Sequence, residues 1–193
     1  MRYNRMKKTI ISLFYRNDRL WYLDWSHKNN LTDITFQKSF ELMKEISLIK
    51  HAKGALGLRV FGLGPNLNPT NGLIKLQNLL DANAFWAQKR TLSDLKKWLA
   101  NSDVVISLWV GKEIVGFGRA LTDGIYRGVL WEIVIDQNHQ GKGFGTLIVK
   151  SLLSSKKIKN TKKLYLMTTN KKLFYSQFDF KEVTSQNLLI REI

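Results

Sequence analysis

The sequence predicts an α/β layer fold, and three observations carry that expectation. Three apolar segments, Val104 to Val110, Glu113 to Leu121 and Val129 to Ile135, follow one another across the short turns Gly111-Lys112 and Asp123-Gly124, as successive strands do. The last of them is apolar nearly throughout, which suits a central strand covered on both faces. It runs into Gln140-Gly141-Lys142-Gly143-Phe144-Gly145 and then Thr146 to Leu153, so a strand feeds a glycine-dense turn that opens a helix.

Residues 1–53 stand apart from this pattern. They carry eleven Lys or Arg against five acids and little lasting periodicity, and are expected to form a basic extension, partly disordered or helical. The helix predicted there spans Phe36 to Ile49, where Phe40, Met43 and Ile46 share a stripe. The domain proper is expected over 54–193. Leu56 to Gly62 alternates as a short strand, and residues 64–69 form a loop holding both prolines. Asn71 is placed to cap a helix that buries Leu73, Leu76, Leu79 and Leu80, and Ser93 to cap another over Asp94 to Leu99. Beyond the glycine turn and its helix, which together run to about residue 155, Leu164 to Thr169 reads as a strand and Lys171 to Gln177 as a short helix. Phe180 to Val183 and Leu188 to Arg191 read as closing strands.

Composition bounds the chemistry. With 193 residues, 44% apolar and 11% aromatic, the chain can bury one domain core and little more. A net charge of +16 makes a positive field that gathers polyanions, whether nucleic acid, acidic membrane or a phosphorylated cofactor; lysines that merely solvate the surface would give the same count. The absence of cysteine excludes disulfides, thiolate zinc sites and a cysteine acyl carrier. Three histidines, His27, His51 and His139, have no metal-ligand spacing, so no metal is expected. No apolar run approaches the roughly 20 residues of a membrane span. A cytoplasmic location is expected, with a basic organelle-targeting arm as the alternative.

The glycine turn is the main candidate site. A strand, a glycine-rich bend and a helix start present several unpaired backbone N–H groups, at the positive end of a helix dipole, to one anion. Gly141, Gly143 and Gly145 would let the chain approach that anion closely, and Lys142 would add charge at the rim. A P-loop would need Ser or Thr after its lysine, where Gly143 stands, and a dinucleotide fold would need an acid about 20 residues onward, where the chain is rich in Lys and Ser.

What remains, Gln-x-x-Gly-x-Gly, resembles the pyrophosphate loop of the GNAT acetyltransferase superfamily. Two further segments are similar to that family: Gly116-Phe117-Gly118-Arg119-Ala120 in the strand after a hairpin, and Thr168-Thr169-Asn170 with Phe174-Tyr175-Ser176-Gln177-Phe178-Asp179-Phe180, which resembles its Asn…Phe-Tyr-x-x-x-Gly-Phe segment. Asp179 stands where the pattern has the glycine that ends a short helix in the left-handed conformation, which Asp tolerates better than most side chains. Trp131-Glu132-Ile133-Val134-Ile135 is similar to the cyanobacterial and plastid branch. The likeness covers about 84–180 well, 55–83 weakly, and nothing earlier.

The resemblance implies a GNAT-like mixed, mostly antiparallel central sheet with helices on both faces and a V-shaped splay between the fourth and fifth strands. It implies acetyl-CoA as acyl donor. Main-chain groups of Ile133, Val134 and Ile135 would pair with its pantetheine arm, and the loop Gln140, Gly141, Lys142, Gly143, Phe144, Gly145 and Thr146 would hold its pyrophosphate. Asn170 would bond the pantetheine amide, or else serve as a turn residue capping the next helix. The acetyl group would pass directly to a primary amine, a protein N-terminus, a lysine or a small amine, with no covalent enzyme intermediate. Glu132 would take the amine's proton, or else pair with Arg119 on the next strand; Asp136 and Asp123 are further carboxylates at strand ends, and His139 reads as a surface residue. Tyr175 would protonate the leaving thiolate, or else pack against Phe178 and Phe180. A monomer or homodimer is expected. The alternative function is an inactive acyl-CoA-binding or RNA- or ribosome-associated basic protein on the same fold.

Overall fold

The computed structural model describes residues 14–16, 19–21, 46–51, 53–54, 57–58 and 71–192. One sheet holds seven strands in chain order: β1 (Phe14–Arg16), β2 (Arg19–Trp21), β3 (Ile46–Lys50), β4 (Val104–Val110), β5 (Glu113–Thr122), β6 (Arg127–Ile135) and β7 (Lys163–Tyr165). Neighbours pair antiparallel except β6 with β7, which are parallel. The helices are α1 (Gly72–Asn83), α2 (Leu92–Ala100), α3 (Phe144–Leu153) and the short α4 (Lys172–Ser176).

Strand alternation divides the core between two faces. Val105, Trp109, Phe117 and Val134 meet Leu76, Leu79 and Leu80 of α1 and Leu95 and Leu99 of α2. Val104, Ile106, Leu108, Ala120 and Leu130 meet Phe144, Ile148 and Leu152 of α3 on the other side. Helices therefore cover both faces, as expected. Two glycines let α3 sit down on β5: a Cβ at Gly118 would stand 2.6 Å from Ile148 Cγ2, and one at Gly116 2.8 Å from Ile148 Cδ1.

Three departures from the sequence reading concern the ends of the fold. Ile46 to Ile49 belong to β3, in register with Val110 to Ser107 of β4, and not to a helix; residues 36–45 of that expected helix lie outside the described residues. The sheet thus crosses the boundary drawn at residue 53. β3 also takes the place beside β4 that a strand at 56–62 would have needed: Leu58 is buried among α1 and α2, Gly57 and Leu58 are outside any strand, and the remainder of that segment is not described. The closing strands are absent as well. Residues 180–192 have no strand structure, with Val183, Leu188, Leu189 and Ile190 exposed, because apolar residues with strand propensity still need a neighbouring strand to pair with.

Two caps differ from expectation. Asn71 adopts a left-handed conformation, φ 54°, and its side chain caps nothing. Thr91, not Ser93, caps α2: its hydroxyl accepts from the Asp94 amide at 3.1 Å and donates to Asp94 Oδ2 at 2.8 Å, so Thr91 and Asp94 are tied by reciprocal bonds. Asp179 does take the left-handed conformation, φ 64°, just beyond α4.

The strand expected at 164–169 contracts to three residues. β7 pairs with β6 only through Arg127–Lys163, Gly128–Leu164 and Val129–Tyr165. From Leu130 to Ile135, β6 has β5 on one side and, among the described residues, no strand on the other. That is the splay.

Candidate active site

The cleft opens where β6 and β7 part. It has a volume of about 370 Å³, and its walls include Ile133 and Ile135 of β6, the loop from Gln140 to Gly145, and Phe174 and Tyr175 of α4. Ile133 and Ile135 point towards α3 and line it, whereas Val134 points into the opposite core.

The loop supplies donors. Gly141 and Gly143 have φ of 74° and 79°, the left-handed region that glycine enters without steric cost, and a Cβ at either would meet nothing within 4 Å. Gly143 is the residue before α3, so Phe144, Gly145 and Thr146 are the first helical positions and have no intrahelical acceptor. No backbone N–H from Gly141 to Thr146 donates to a protein acceptor among the described residues. Six consecutive amides thus have their donors free, and five of these residues, all but Lys142, line one cleft, an arrangement suited to a diphosphate.

The side chains around the loop hold it in shape. Gln140 Nε2 donates to the Ile135 carbonyl at 3.3 Å, and Lys142 Nζ to the Asn138 carbonyl at 3.1 Å, so the Lys142 ammonium stands at the rim and outside the cleft lining. His139 bonds Asp136 Oδ1 at 2.8 Å and stacks on Phe144, at 6.2 Å between ring centres. It is half-buried and lines the cleft, which corrects its reading as a surface residue; Lys171 lines the cleft too and is not marked in the sequence, because nothing local marks a residue that reaches a cleft formed by distant segments. Asn170 is exposed and outside the lining, and the hydroxyl that accepts from the Lys171 amide is that of Thr168, at 3.1 Å.

Tyr175 is buried at the cleft wall, edge-on to Phe174 at 4.9 Å and to Phe180 at 6.2 Å. Its hydroxyl has no hydrogen-bond partner among the described residues. Burial pushes the phenol up to about 12, so it carries its proton throughout the neutral range. The side chain thus packs as an aromatic and also offers an unused donor to the cleft.

Glu132 lies on the other face. Arg119 Nε donates to its Oε2 at 2.7 Å and Arg90 Nη2 to its Oε1 at 3.2 Å, and the carboxylate side chain is only 4% exposed. Arg119 stacks over Trp98 at 4.5 Å, with Trp131 at 5.9 Å. Burial draws the Arg119 pKa below its ordinary value, Glu132 pulls it back up and Arg90 lowers it further; it stays a cation. A β-bulge produces this geometry. Phe117 pairs with Val134 and Arg119 with Trp131, so Gly118 faces two residues, and Glu132 takes φ 45°. Regular alternation would put Glu132 on the α3 side with Leu130; the bulge turns it to the α2 side beside Trp131.

Among the described residues no group of His, Asp or Glu could hold a metal ion, and no helix is long and apolar enough to cross a membrane.

The acetyltransferase (GNAT) domain family matches residues 98–182. The uncharacterized N-acetyltransferase ycf52 of Pyropia yezoensis is 34% identical over 90 residues, which cover 45% of this chain and 51% of that protein. A ycf52-like N-acetyltransferase of Prochlorococcus marinus is 29% identical over 101 residues, 50% of this chain and 55% of that one. A putative GNAT acetyltransferase structure from Xanthomonas campestris superposes with a TM-score of 0.55 at 18% identity, covering 65% of this chain and 91% of that one. Residues 98–182 are thus similar to the GNAT acetyltransferase family, and the chain spans about half the length of the curated relatives it matches.

Proposed function

We propose that this protein transfers an acetyl group from acetyl-CoA directly to a primary amine. The six free amides from Gly141 to Thr146 carry the reading, because they form an anion cradle at the mouth of a cleft whose other wall is an unpaired strand edge. Acetyl-CoA, when bound, supplies the thioester that is consumed. The residues present fit it: the loop amides would hold the diphosphate, His139 and Lys171 flank them, and the open edge of β6 at Ile133 to Ile135 would pair with the pantetheine amides as a strand would.

Tyr175 acts at the leaving sulfur. Its hydroxyl donates a hydrogen bond or proton to the departing thiolate, which a phenol still protonated at neutral pH can do. Bond formation from the amine nitrogen to the acetyl carbon and cleavage of carbon from sulfur then release one proton from the amine. Glu132 is not its destination in this reading. Both its oxygens are taken by guanidinium groups, and its role is to hold the bulge in β6; solvent water takes the amine proton and returns one to the Tyr175 oxygen, so that the phenol is restored and the thiol leaves protonated. The acceptor class proposed first is a protein amine, an N-terminus or a lysine.

The test is to incubate the full chain with radiolabelled acetyl-CoA and a panel of peptides and small amines. Label on at least one amine supports the reading, and release of free acetate alone, or no turnover, removes it.

A further inference from the structure

Between Gln137 and Phe178 the chain carries nine lysines and no Asp or Glu. Lys171 lines the cleft, Lys142 stands at its rim with Nζ on the Asn138 carbonyl, and Lys172 pairs with Glu182 at 2.6 Å. The other six begin at the last turns of α3. A helix rises about 1.5 Å per residue, so the segment after Leu153 lies some 15 Å along α3 from the amide cradle, at the opposite end of the helix.

That segment is a built surface. Ser155 accepts from the amides of Ile158 and Lys159, both at 2.9 Å, and Ile158 is 1% exposed in the core beneath. Thr161 and Thr122 bond through their hydroxyls at 3.0 Å, and the amides of Lys162 and Lys163 donate to the carbonyls of Ile125 and Tyr126, both at 3.0 Å. The turn after α3 is thereby fixed to the turn between β5 and β6. Lys156, Lys157, Lys159, Lys162, Lys163 and Arg127 all lie exposed on this frame.

The two acids nearby offset only part of this charge. Asp103 pairs with Lys53 at 2.5 Å, accepts from the Thr122 amide at 2.9 Å and lies in the field of Lys157, and Asp123, still an anion, accepts from the amides of Ile125, Tyr126 and Arg127. Tyr126 projects from the middle of the patch. Its side chain is 59% exposed, with Lys162 Nζ 4.9 Å from the ring centre. An exposed ring flanked by ammonium groups on a rigid turn matches a base-stacking platform with phosphate contacts around it.

We infer that the joined turns around Tyr126 and Lys156 to Lys163 bind single-stranded nucleic acid, its phosphates on the lysines and a base stacked on Tyr126. This site is separate from the cleft, and it does not depend on acetyl transfer. A membrane surface fits less well, because the patch offers Ile125 and Tyr126 but no amphipathic helix to enter the headgroup layer.

The test is fluorescence anisotropy with the full chain and labelled RNA and DNA single strands of about 12 nucleotides, a length within the range that such platforms occupy. Affinity should fall with salt at a slope of about −0.7 per phosphate contacted, and a triple variant Lys156→Glu, Lys159→Glu, Lys162→Glu should bind at least about tenfold more weakly with a shallower slope. Tyr126→Ala should lose about fivefold or more through stacking while keeping the slope. Circular dichroism melts confirm that both variants fold; should the triple variant not, Tyr126→Ala decides alone. No binding at low salt, full affinity in the folded variants, or binding to phosphatidylserine vesicles in place of oligonucleotides would overturn the assignment.

Discussion

Arg119 Nε meets Glu132 Oε2 at 2.7 Å across the β5–β6 pair, at the residue of β6 whose φ is 45°. A non-glycine residue in the left-handed region costs on the order of 1–2 kcal/mol and persists only where its surroundings hold it. The two arginines do so here: the ion pair and the bulge are one feature.

Glu132→Gln should therefore act first on stability. Removing the charge leaves two guanidinium groups facing a neutral amide, and breaking a buried pair typically costs about 3–5 kcal/mol. Thermal melting should show a large fall in Tm. The pH profile of kcat, measured below the new Tm, should keep its shape; a lost acidic limb with little change in Tm would make Glu132 a proton acceptor.

Tyr175→Phe keeps the ring and its packing and removes the donor alone. We expect kcat to fall by about tenfold or more while the affinity for acetyl-CoA stays within about twofold. Because burial holds the phenol near 12, the native enzyme should lose no activity to phenol ionisation at mildly basic pH. Steady-state kinetics with calorimetric binding of the donor separates the two parameters, and an unchanged kcat would reduce Tyr175 to a packing residue.

The loop and the three central strands were legible because local rules set them. Glycine at 141 and 143 answers a φ that other residues avoid, and Gly111 and Gly124 mark hairpin turns with φ of 57° and 80°. The pairing of Glu132 with Arg119 was legible as one of two readings, since both stand in adjacent strands. Arg90 was not. It joins from 42 residues away in a connection between helices, and no spacing reports that. The bulge escaped because an insertion of one residue leaves an apolar strand just as apolar. β7 was read too long because a strand ends where its partner leaves, and the departure of β6 at Leu130 is a property of the sheet. Ser93 and Thr91 offer the same hydroxyl; Asp94 chooses Thr91 by returning its hydrogen bond.

Asp103 offers a test of how the basic N-terminal side is tied to the sheet. Burial alone would raise its pKa, yet Lys53, the Thr122 amide and Lys157 together hold it below the usual carboxylate value. A folded pKa below the unfolded one stabilises the protein above about pH 4, and that contribution disappears as pH falls through the folded value. Asp103→Asn should lower Tm at neutral pH, with the gap to the native protein narrowing in strong acid. A gap constant from neutral to acid pH would mean that the charge contributes nothing.

The central claim is that the main chain from Gly141 to Thr146 grips a diphosphate, and calorimetry tests it most directly. The full chain should bind acetyl-CoA at one site per chain, and about 100-fold more tightly than acetyl-pantetheine, which lacks the diphosphate; that ratio corresponds to about 2.7 kcal/mol. Equal affinity for the two ligands, or no heat with acetyl-CoA, would contradict it.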